Sequence, residues 1–387
     1  YYGGHRPGNT LFGESLVAVD LKTGERRWHY QLVHHGIWDF DIPCAPILAD
    51  VTVDGREIKA VFQPTKQGWI YAFDRTNGQP IWPIEERPVE QSTVPLEKTS
   101  PTQPFVTKPA PFERQGVSLD DLIDFTPELK AEAVRLVSRY KIGPLFTPPV
   151  VSRWEGPLGT LMLPSTTGGA NWQGGSFDPE TRRLYIYSSA QISVLSLVPS
   201  TPDRSDMAFI RGLATDPNAP RPAAAAGPQR PTLAVAGGEA AGPALNVRGL
   251  PLVKPPYATI TAYDMNRGEI LWQIPHGETP DNVRNHAALQ GLTIPRTGRL
   301  GRIGTLVTKT LVIAGEGGQF TMPDGRRGAM LRAYDKATGR EVGAVYMPAG
   351  QTGSPMTYLH NGQQYIVVAV SGGGYSGELL AFRLPNP

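Results

Sequence analysis

The sequence lacks a second cysteine, a large excess of charge of either sign and any long hydrophobic run. Its one cysteine, Cys44, can form neither an internal disulfide nor a thiolate metal site by itself, and we expect it to be a small buried residue. The formal net charge of +2 gives no reason to expect nucleic acid as a partner. No apolar run approaches the roughly 20 residues that span a bilayer. The chain starts at Tyr1 rather than Met, so we expect upstream sequence to be missing, and no conclusion is drawn from the lack of a targeting signal.

Turn-forming residues are abundant. The 387 residues include 43 glycines and 38 prolines, whereas only 19% are charged. The apolar residues between these turns occur in short runs rich in β-branched and aromatic side chains. This composition predicts an all-β chain of many short strands joined by many turns.

A short motif recurs along the chain: an aspartate, a glycine four residues later and a tryptophan four residues after the glycine. Its copies are Asp20–Gly24–Trp28, Asp74–Gly78–Trp82 and Asp264–Gly268–Trp272. A fourth copy, Asp335–Gly339, has Gly343 in place of the tryptophan. An aspartate that caps a tight turn, a glycine with positive φ and a packing tryptophan describe a hairpin within a repeated sheet. The motif predicts a β-propeller; an ordinary β-sandwich with coincidental hairpins is the alternative.

Two insertions interrupt the repeat. Residues 98–160 contain a predicted helix with Thr126 as N-cap, Pro127 in the first turn and an end at Gly143. Residues 201–250 are rich in Ala, Gly and Pro and are expected to form a surface excursion. Neither is expected to be a separate domain, so we interpret residues 1–387 as part of one propeller with about four to five blades.

Two segments place an aspartate and a lysine 27 residues apart: His34–Asp41, which includes Asp39, and Gln63–Gly68, which includes Lys66. Together with Gly168–Trp172 and with segments over nearly the whole chain, they resemble the quinoproteins, the PQQ-dependent alcohol and sugar dehydrogenases. The resemblance implies the C-terminal portion of an eight-bladed propeller. It also implies PQQ and Ca²⁺ as cofactors.

In that family the residue at Asp39 is the general base for the substrate hydroxyl and lies at Ca²⁺, so the resemblance implies both roles for Asp39. The residue at Lys66 donates hydrogen bonds to the ortho-quinone oxygens of PQQ. From the residues alone, Asp39 could instead cap a turn, with Asp41 merely solvated, and Lys66 could be a surface lysine. The other Ca²⁺ ligands of the family come from blades outside this sequence.

Further cofactor contacts are implied at Asn171 and Trp172, which match a family Asn-Trp pair near PQQ. Trp172 could otherwise be another packing tryptophan. Gly374 and Tyr375 fall where some members carry Gly-Trp against PQQ, although this glycine run could simply be a turn. The adjacent histidines His34 and His35 are not favoured as metal ligands, because neighbouring residues of a strand point to opposite faces.

The resemblance implies oxidation of a sugar, polyol or alcohol hydroxyl to a carbonyl by hydride transfer to PQQ. Electrons would pass to a quinone or cytochrome in the periplasm, and the missing N-terminal sequence leaves membrane association open. Gly36 stands where glucose-type relatives often have Asp, which leaves the substrate preference open. A non-catalytic periplasmic scaffold of PQQ-like repeats is the alternative, and a Ca²⁺-dependent hydrolase is a third. A scaffold has no reason to bring Asp39, Lys66 and Asn171 to one cavity.

Overall fold

The computed structural model describes residues 1–218 and 245–383, and most of their regular structure is strand. The first strands are β1 (Ser15–Val19), β2 (Arg26–Gln31), β3 (Ile47–Val53), β4 (Arg56–Pro64), β5 (Ile70–Asp74), β6 (Ile84–Pro88), β7 (Thr102–Val106), β8 (Val150–Val151), β9 (Thr160–Met162), β10 (Gly175–Asp178), β11 (Arg183–Ser189) and β12 (Ser193–Pro199). The later strands are β13 (Phe209–Arg211), β14 (Asn246–Val247), β15 (Leu250–Pro251), β16 (Ala258–Asp264), β17 (Glu269–Pro275), β18 (Leu306–Val307), β19 (Leu311–Gly315), β20 (Phe320–Thr321), β21 (Arg327–Asp335), β22 (Glu341–Met347), β23 (Met356–His360), β24 (Gln363–Gly372) and β25 (Tyr375–Arg383). The α-helices are α1 (Pro127–Val137) and α2 (Asp281–Arg284), and two 3₁₀ turns span Leu119–Asp121 and Ala287–Leu289.

Antiparallel sheets follow one another along the described chain. They are β1–β2, β3–β4–β5, β10–β11–β16–β17, β18–β19–β21–β22 and β23–β24–β25. Within each sheet the strands pair in sequence order, and β16 returns after the second insertion to pair with β11. The prediction of an all-β chain built from repeated hairpin sheets is therefore confirmed. These five sheets agree in number with the predicted four to five blades, and three further small sheets are formed by β6–β7, by β8, β9, β12 and β13, and by β14–β15.

The three tryptophans of the repeat join each sheet to the next. A Cβ atom built on Gly78 would lie 2.6 Å from the Trp28 ring. Likewise, one on Gly268 would lie 2.9 Å from Trp82, and one on Gly339 would lie 2.9 Å from Trp272. Each indole thus packs directly on the turn glycine of the following repeat, where any side chain would collide. The same glycines have positive φ, so the turn and the packing both require glycine at these positions.

Turns in an antiparallel meander alternate between the two ends of the sheet. The turns with the Asp-Gly motif all lie at one end, which we call the hairpin face. The β4–β5 and β24–β25 turns and the connections between successive sheets lie at the opposite end, which we call the loop face. All six residues predicted to form the site lie in these loops or next to them.

The insertion at 98–160 contains the predicted helix, which is shorter than expected. Thr126 Oγ1 accepts a hydrogen bond from the Leu129 backbone N–H, and Pro127 is the first helical residue, as predicted. The helix ends at Val137 and not at Gly143. The reason is a competing partner: the Lys141 backbone N–H donates to Gly159 O, so the chain leaves the helix to run beside β9.

The helix α1 packs its buried residues into a core formed with both insertions, the β12 region and the segment before β16. In the second insertion, β13 pairs with β12 and β14 pairs with β15. The Ala/Gly/Pro-rich part, residues 219–244, lies outside the described residues. Among the helices described here, none has the length and apolar character needed to cross a membrane.

Candidate active site

The loop that carries Asp39 is anchored by its two aromatic neighbours. Trp38 and Phe40 are buried, and their rings stack at 6.3 Å between centroids. Trp38 Nε1–H also donates to Thr147 O of the first insertion, at 2.9 Å. Because its neighbours point into the core, Asp39 projects away from it and is exposed. Its φ of 64° lies in the left-handed region, a strained conformation for a non-glycine residue and one often found at functional sites.

Lys66 lies in a tight turn between β4 and β5. The Gly68 N–H donates to Thr65 O at 3.2 Å, and the Thr65 N–H donates to Trp69 O at 2.9 Å. The lysine side chain is only 1% exposed. A Cβ on Gly168 would lie 2.5 Å from Lys66 Cγ, so the glycine loop covers the stem of the lysine directly. The interpretation of Lys66 as a surface lysine is therefore wrong.

The ammonium of Lys66 meets the Asp39 loop at two points. Nζ donates to Asp41 Oδ1 at 2.5 Å and to the backbone carbonyl of Asp39 at 3.2 Å. Asp41 is consequently an ion-pair partner as well as a solvated residue, although its side chain remains 56% exposed. The pair is therefore half open: its cation is buried and its anion faces solvent.

Asn171 and Trp172 form the edge of the glycine loop that covers Lys66. The Asn171 amide Nδ2 donates to Thr167 O at 2.6 Å, and its Oδ1 accepts from the Trp172 backbone N–H at 2.8 Å. Cys44 is buried, as predicted, and its Sγ donates to Asn171 O at 2.9 Å. Trp172 is 52% exposed and lies against Gly353. It is therefore not a packing tryptophan of the kind that joins the sheets.

Gly374 lies in the turn between β24 and β25, and Tyr375 begins β25. Gly374 has a φ of 84°, which the turn requires. The Tyr375 hydroxyl donates to the Glu378 carboxylate within the same strand. The structure brings Asp39, Lys66 and the Asn171 loop into one contact network, whereas Gly374 and Tyr375 share only the loop face with them. Their predicted contact with PQQ stays a prediction.

Three residues beside this network were not identified as site residues from the sequence, because no motif marks them. The Tyr1 hydroxyl donates to Asp39 Oδ2 at 3.2 Å. Burial and the neighbouring Asp39 charge raise the pKa of Tyr1 to about 12, so the phenol keeps its proton. Glu14 is half-buried beside Gly36; burial raises its pKa to about 7, Arg6 opposes this, and the Asp41 and Asp39 charges add to it.

The third of these residues, Glu113, packs against both the Lys66 turn and the glycine loop. A Cβ on Gly68 or on Gly169 would lie 3.1 Å from Glu113 Cβ. Its Oε2 accepts from Ser188 Oγ at 2.9 Å. Burial raises the pKa of this carboxyl, while Arg114 and the Ser188 hydrogen bond oppose the rise. Glu113 thus fixes the turn of Lys66 and the glycine loop against each other.

The chemistry of these groups fits a flat anionic cofactor such as PQQ. Lys66 supplies a buried positive charge, Asn171 has one amide N–H beyond the one bound to Thr167, and Trp172 exposes an aromatic face. Gly168 and Gly169 let the backbone of this loop pack directly on Lys66 and Glu113.

The structure does not test the predicted calcium role of Asp39. Across residues 1–218 and 245–383, no group of three or more His, Cys, Asp or Glu side chains is arranged to hold a metal ion. His34 is paired with Gln31 and Glu86, and His35 with Gly8 O.

The chain is built from repeated sheets, as in a β-propeller. One face of it carries a buried lysine, an exposed aspartate and a glycine-rich loop with an exposed tryptophan, and together these form a candidate binding site. The family model for PQQ, the glucose/ethanol/alcohol dehydrogenase β-propeller domain, matches residues 1–366. The chain therefore belongs to this family, as the resemblance implied.

Individual relatives agree with this assignment. The chain is 30% identical to quinoprotein glucose dehydrogenase of Escherichia coli, with 100% of this chain and 46% of the relative covered. It is also 30% identical to the glycerol dehydrogenase large subunit of Gluconobacter oxydans, with 100% and 51% covered. The solved structure of quinohemoprotein alcohol dehydrogenase ADHIIG from Pseudomonas putida shares the fold, with a TM-score of 0.52, 20% identity and coverage of 94% and 40%. The chain thus spans about half the length of the curated relatives it matches.

Proposed function

We propose that this chain is the catalytic part of a PQQ-dependent dehydrogenase that oxidises a hydroxyl group of a sugar, polyol or alcohol to a carbonyl. One observation carries the proposal: buried Lys66 donates a hydrogen bond to the backbone of Asp39, whose carboxylate is exposed on the same face. The names of the relatives support the class, since they are dehydrogenases of glucose and glycerol. A scaffold would have no use for a buried lysine next to an exposed aspartate.

Asp39 is proposed as the general base. A bound substrate hydroxyl would give its proton to the Asp39 carboxylate as the carbinol carbon loses hydride, and a carbon–oxygen double bond forms. When bound, PQQ supplies the quinone that accepts the hydride with its two electrons. The buried aromatic neighbours of Asp39 hold its backbone in one conformation, so the carboxylate is positioned before substrate arrives.

Lys66 is proposed to hold the quinone oxygens. Its ammonium is buried, and a fixed positive charge in a site of low polarity stabilises negative charge far more than it would in water. Asp41 binds the ammonium from the solvent side, so it would hold Lys66 in its orientation. Asn171 and Trp172 would bind the cofactor rim and face, and Gly374 and Tyr375 are proposed as further contacts from the last sheet.

The proposal also includes the cellular location, the metal ion and the electron acceptor of the reaction. We place the protein in the periplasm, with Ca²⁺ at Asp39 and with a quinone or cytochrome as the electron acceptor. Membrane association would depend on sequence outside this chain. Cell fractionation with an antibody to the chain tests the location directly.

The decisive experiment is a titration of the purified full-length protein with PQQ and Ca²⁺, followed by dye-linked oxidation of a panel of sugars and alcohols. Asp39→Asn should lower kcat by about 10²- to 10⁴-fold, because an amide cannot accept the proton. The matched control is Asp54→Asn, which makes the same change in the β3–β4 turn at the hairpin face, where the left-handed φ of 49° suits Asn.

Two results would contradict the proposal. Folded full-length protein that takes up no PQQ would favour the scaffold instead. Turnover that is equal in Asp39→Asn and Asp54→Asn would remove Asp39 from the mechanism while leaving the dehydrogenase activity in place.

A further inference from the structure

The space above Gly36 is filled by a side chain from another loop. A Cβ atom built on Gly36 would overlap both carboxylate oxygens of Glu14. The glycine is not needed for its backbone, because Gly36 is not among the positive-φ glycines. Gly36 therefore makes room for the Glu14 carboxylate.

The Glu14 carboxylate lies against the loop that carries Asp39, because it occupies the space above Gly36. The charges of Arg6, Asp41, Asp39 and Lys66 all influence the pKa of this carboxyl, in agreement with that position. Glu14 is half-buried. It stands beside Gly36, three positions before the proposed base Asp39.

The backbone around Glu14 is fixed from both sides. Glu14 O accepts from the Leu32 N–H at 2.9 Å, and its φ of 47° is in the left-handed region. Arg6 Nη2 donates to Gly36 O at 2.6 Å, which holds the opposite loop. Two anchored loops thus present one carboxylate at a fixed place beside Gly36, in the loop that carries Asp39.

We propose that Glu14 is a substrate-positioning residue whose carboxylate accepts a hydrogen bond from a second hydroxyl group of the substrate. The enzyme then prefers polyhydroxylated substrates, such as polyols and sugars, over monohydric alcohols. In its ionised form the Glu14 carboxylate accepts hydrogen bonds only. One substrate hydroxyl would donate to it while the neighbouring hydroxyl gives its proton to Asp39. This inference rests on the proposed dehydrogenase function and adds the substrate class to it.

The test compares glycerol with 1-propanol, which have the same carbon chain, in the full-length protein loaded with PQQ and Ca²⁺. Glu14→Gln keeps the size of the side chain and removes its charge. Hydrogen bonds to charged groups contribute enough that the ratio of kcat/KM for glycerol to that for 1-propanol should fall about tenfold or more. The fall should appear mainly as a higher KM for glycerol, because binding is lost rather than chemistry.

Gly36→Ala should also lower the preference for glycerol, because its methyl group would displace the Glu14 carboxylate. The change should not strain the backbone. The double change Glu14→Ser with Gly36→Asp returns a carboxylate to the same space from the opposite loop and should restore part of the glycerol preference. Glu25→Gln is the matched control, because Glu25 is exposed in the β1–β2 turn at the hairpin face.

The outcomes distinguish a failure of the proposed role of Glu14 from a failure of the proposed dehydrogenase function. An unchanged preference ratio in Glu14→Gln and in Gly36→Ala overturns the positioning role while the dehydrogenase activity stands. Equal losses for glycerol and 1-propanol overturn it as well, because they indicate a structural defect. If the loaded wild-type protein oxidises neither alcohol nor any sugar, the proposed function fails and this inference falls with it. Glycerol-dependent thermal stabilisation that is present in the wild type and weaker in Glu14→Gln supports the positioning role without relying on turnover.

Discussion

Two lysine–aspartate pairs at opposite ends of the propeller show how the same ion pair can serve different purposes. Lys336 Nζ donates to Asp178 Oδ2 at 2.6 Å at the hairpin face, and Lys66 Nζ donates to Asp41 Oδ1 at 2.5 Å at the loop face. In the first pair both side chains are buried, at 10% and 6% exposure. In the second the lysine is buried and the aspartate is 56% exposed.

The Lys336–Asp178 pair is closed on all sides. Asp178 also accepts from Thr181 Oγ1 and from the Glu180 N–H, and Lys336 O accepts from the Tyr185 hydroxyl. With its groups satisfied by protein, this pair joins the third sheet to the fourth and leaves nothing for a ligand. The Lys66 pair has solvent on its acidic side, so its aspartate is not enclosed by protein as Asp178 is. The exposure of the aspartate, and not the ion pair itself, distinguishes the pair proposed to bind the cofactor from the closed pair.

The largest expected effect is on the stability of the closed pair. Lys336→Met leaves the buried Asp178 without its counter-ion, so the free energy of unfolding should fall by about 3–5 kcal/mol. Urea unfolding measures this, with Lys22→Met in the exposed β1–β2 turn as the matched control. The rate per folded molecule should not change. A stability equal to that of the control would remove the distinction between the two pairs.

Lys66→Met should have the opposite effect, a large loss of activity with little change in stability. Asp41 stays solvated when its partner is removed, so the free energy of unfolding should change by no more than about 1 kcal/mol. The kcat should fall by about 10²- to 10³-fold, as expected when one preorganised donor to a developing charge is lost. Steady-state kinetics and urea unfolding on the same preparation give both numbers. A large loss of stability with an unchanged rate would mean that Lys66 is structural as well.

The smallest expected effect is the pH dependence that Asp178, in the closed pair, gives to the free energy of unfolding. Burial acts to raise the pKa of Asp178, but the hydrogen bonds from Lys336 and Thr181 outweigh it and hold that pKa below its usual value. The unfolded chain therefore binds more protons than the folded one in acid. The stabilisation is complete above about pH 4 and is lost as pH falls further.

Unfolding free energies of wild type and Asp178→Asn at pH 7, 5 and 3 test this dependence. The difference between the two proteins should be constant from pH 7 to 5 and should shrink at pH 3, where the Asp178 carboxyl of the unfolded wild type gains a proton. A difference that stays the same at all three values would show that Asp178 does not titrate with folding.

Much of the fold follows from local sequence. Three Asp-Gly-Trp motifs predict three hairpins, and each tryptophan packs on the next turn glycine. The start of α1 at Pro127 follows from Thr126, because a cap acts within one turn. Its end does not follow, because Lys141 finds its partner in Gly159, which is 18 residues further along the chain.

The site was predictable where a residue's role depends on its neighbours in sequence. Trp38 and Phe40 bracket Asp39, and two buried aromatic neighbours favour an exposed aspartate between them. The partners of Lys66 were not predictable in the same way. Asp41 could equally have been a solvated residue, and nothing in its neighbourhood shows that a lysine 25 positions later is buried against it.

The sequence by itself determined the hairpins, the order of the sheets and the family, because turn chemistry and packing tryptophans act over a few residues. Only the tertiary structure decided which charges meet: Glu14 beside Gly36, Asp41 on Lys66, and the Gly168 loop over the lysine stem. These contacts join loops that are distant in sequence, and their distances are set by how whole sheets pack around one another. A charge acts through distance and burial, so its role could be assigned only after that packing was known.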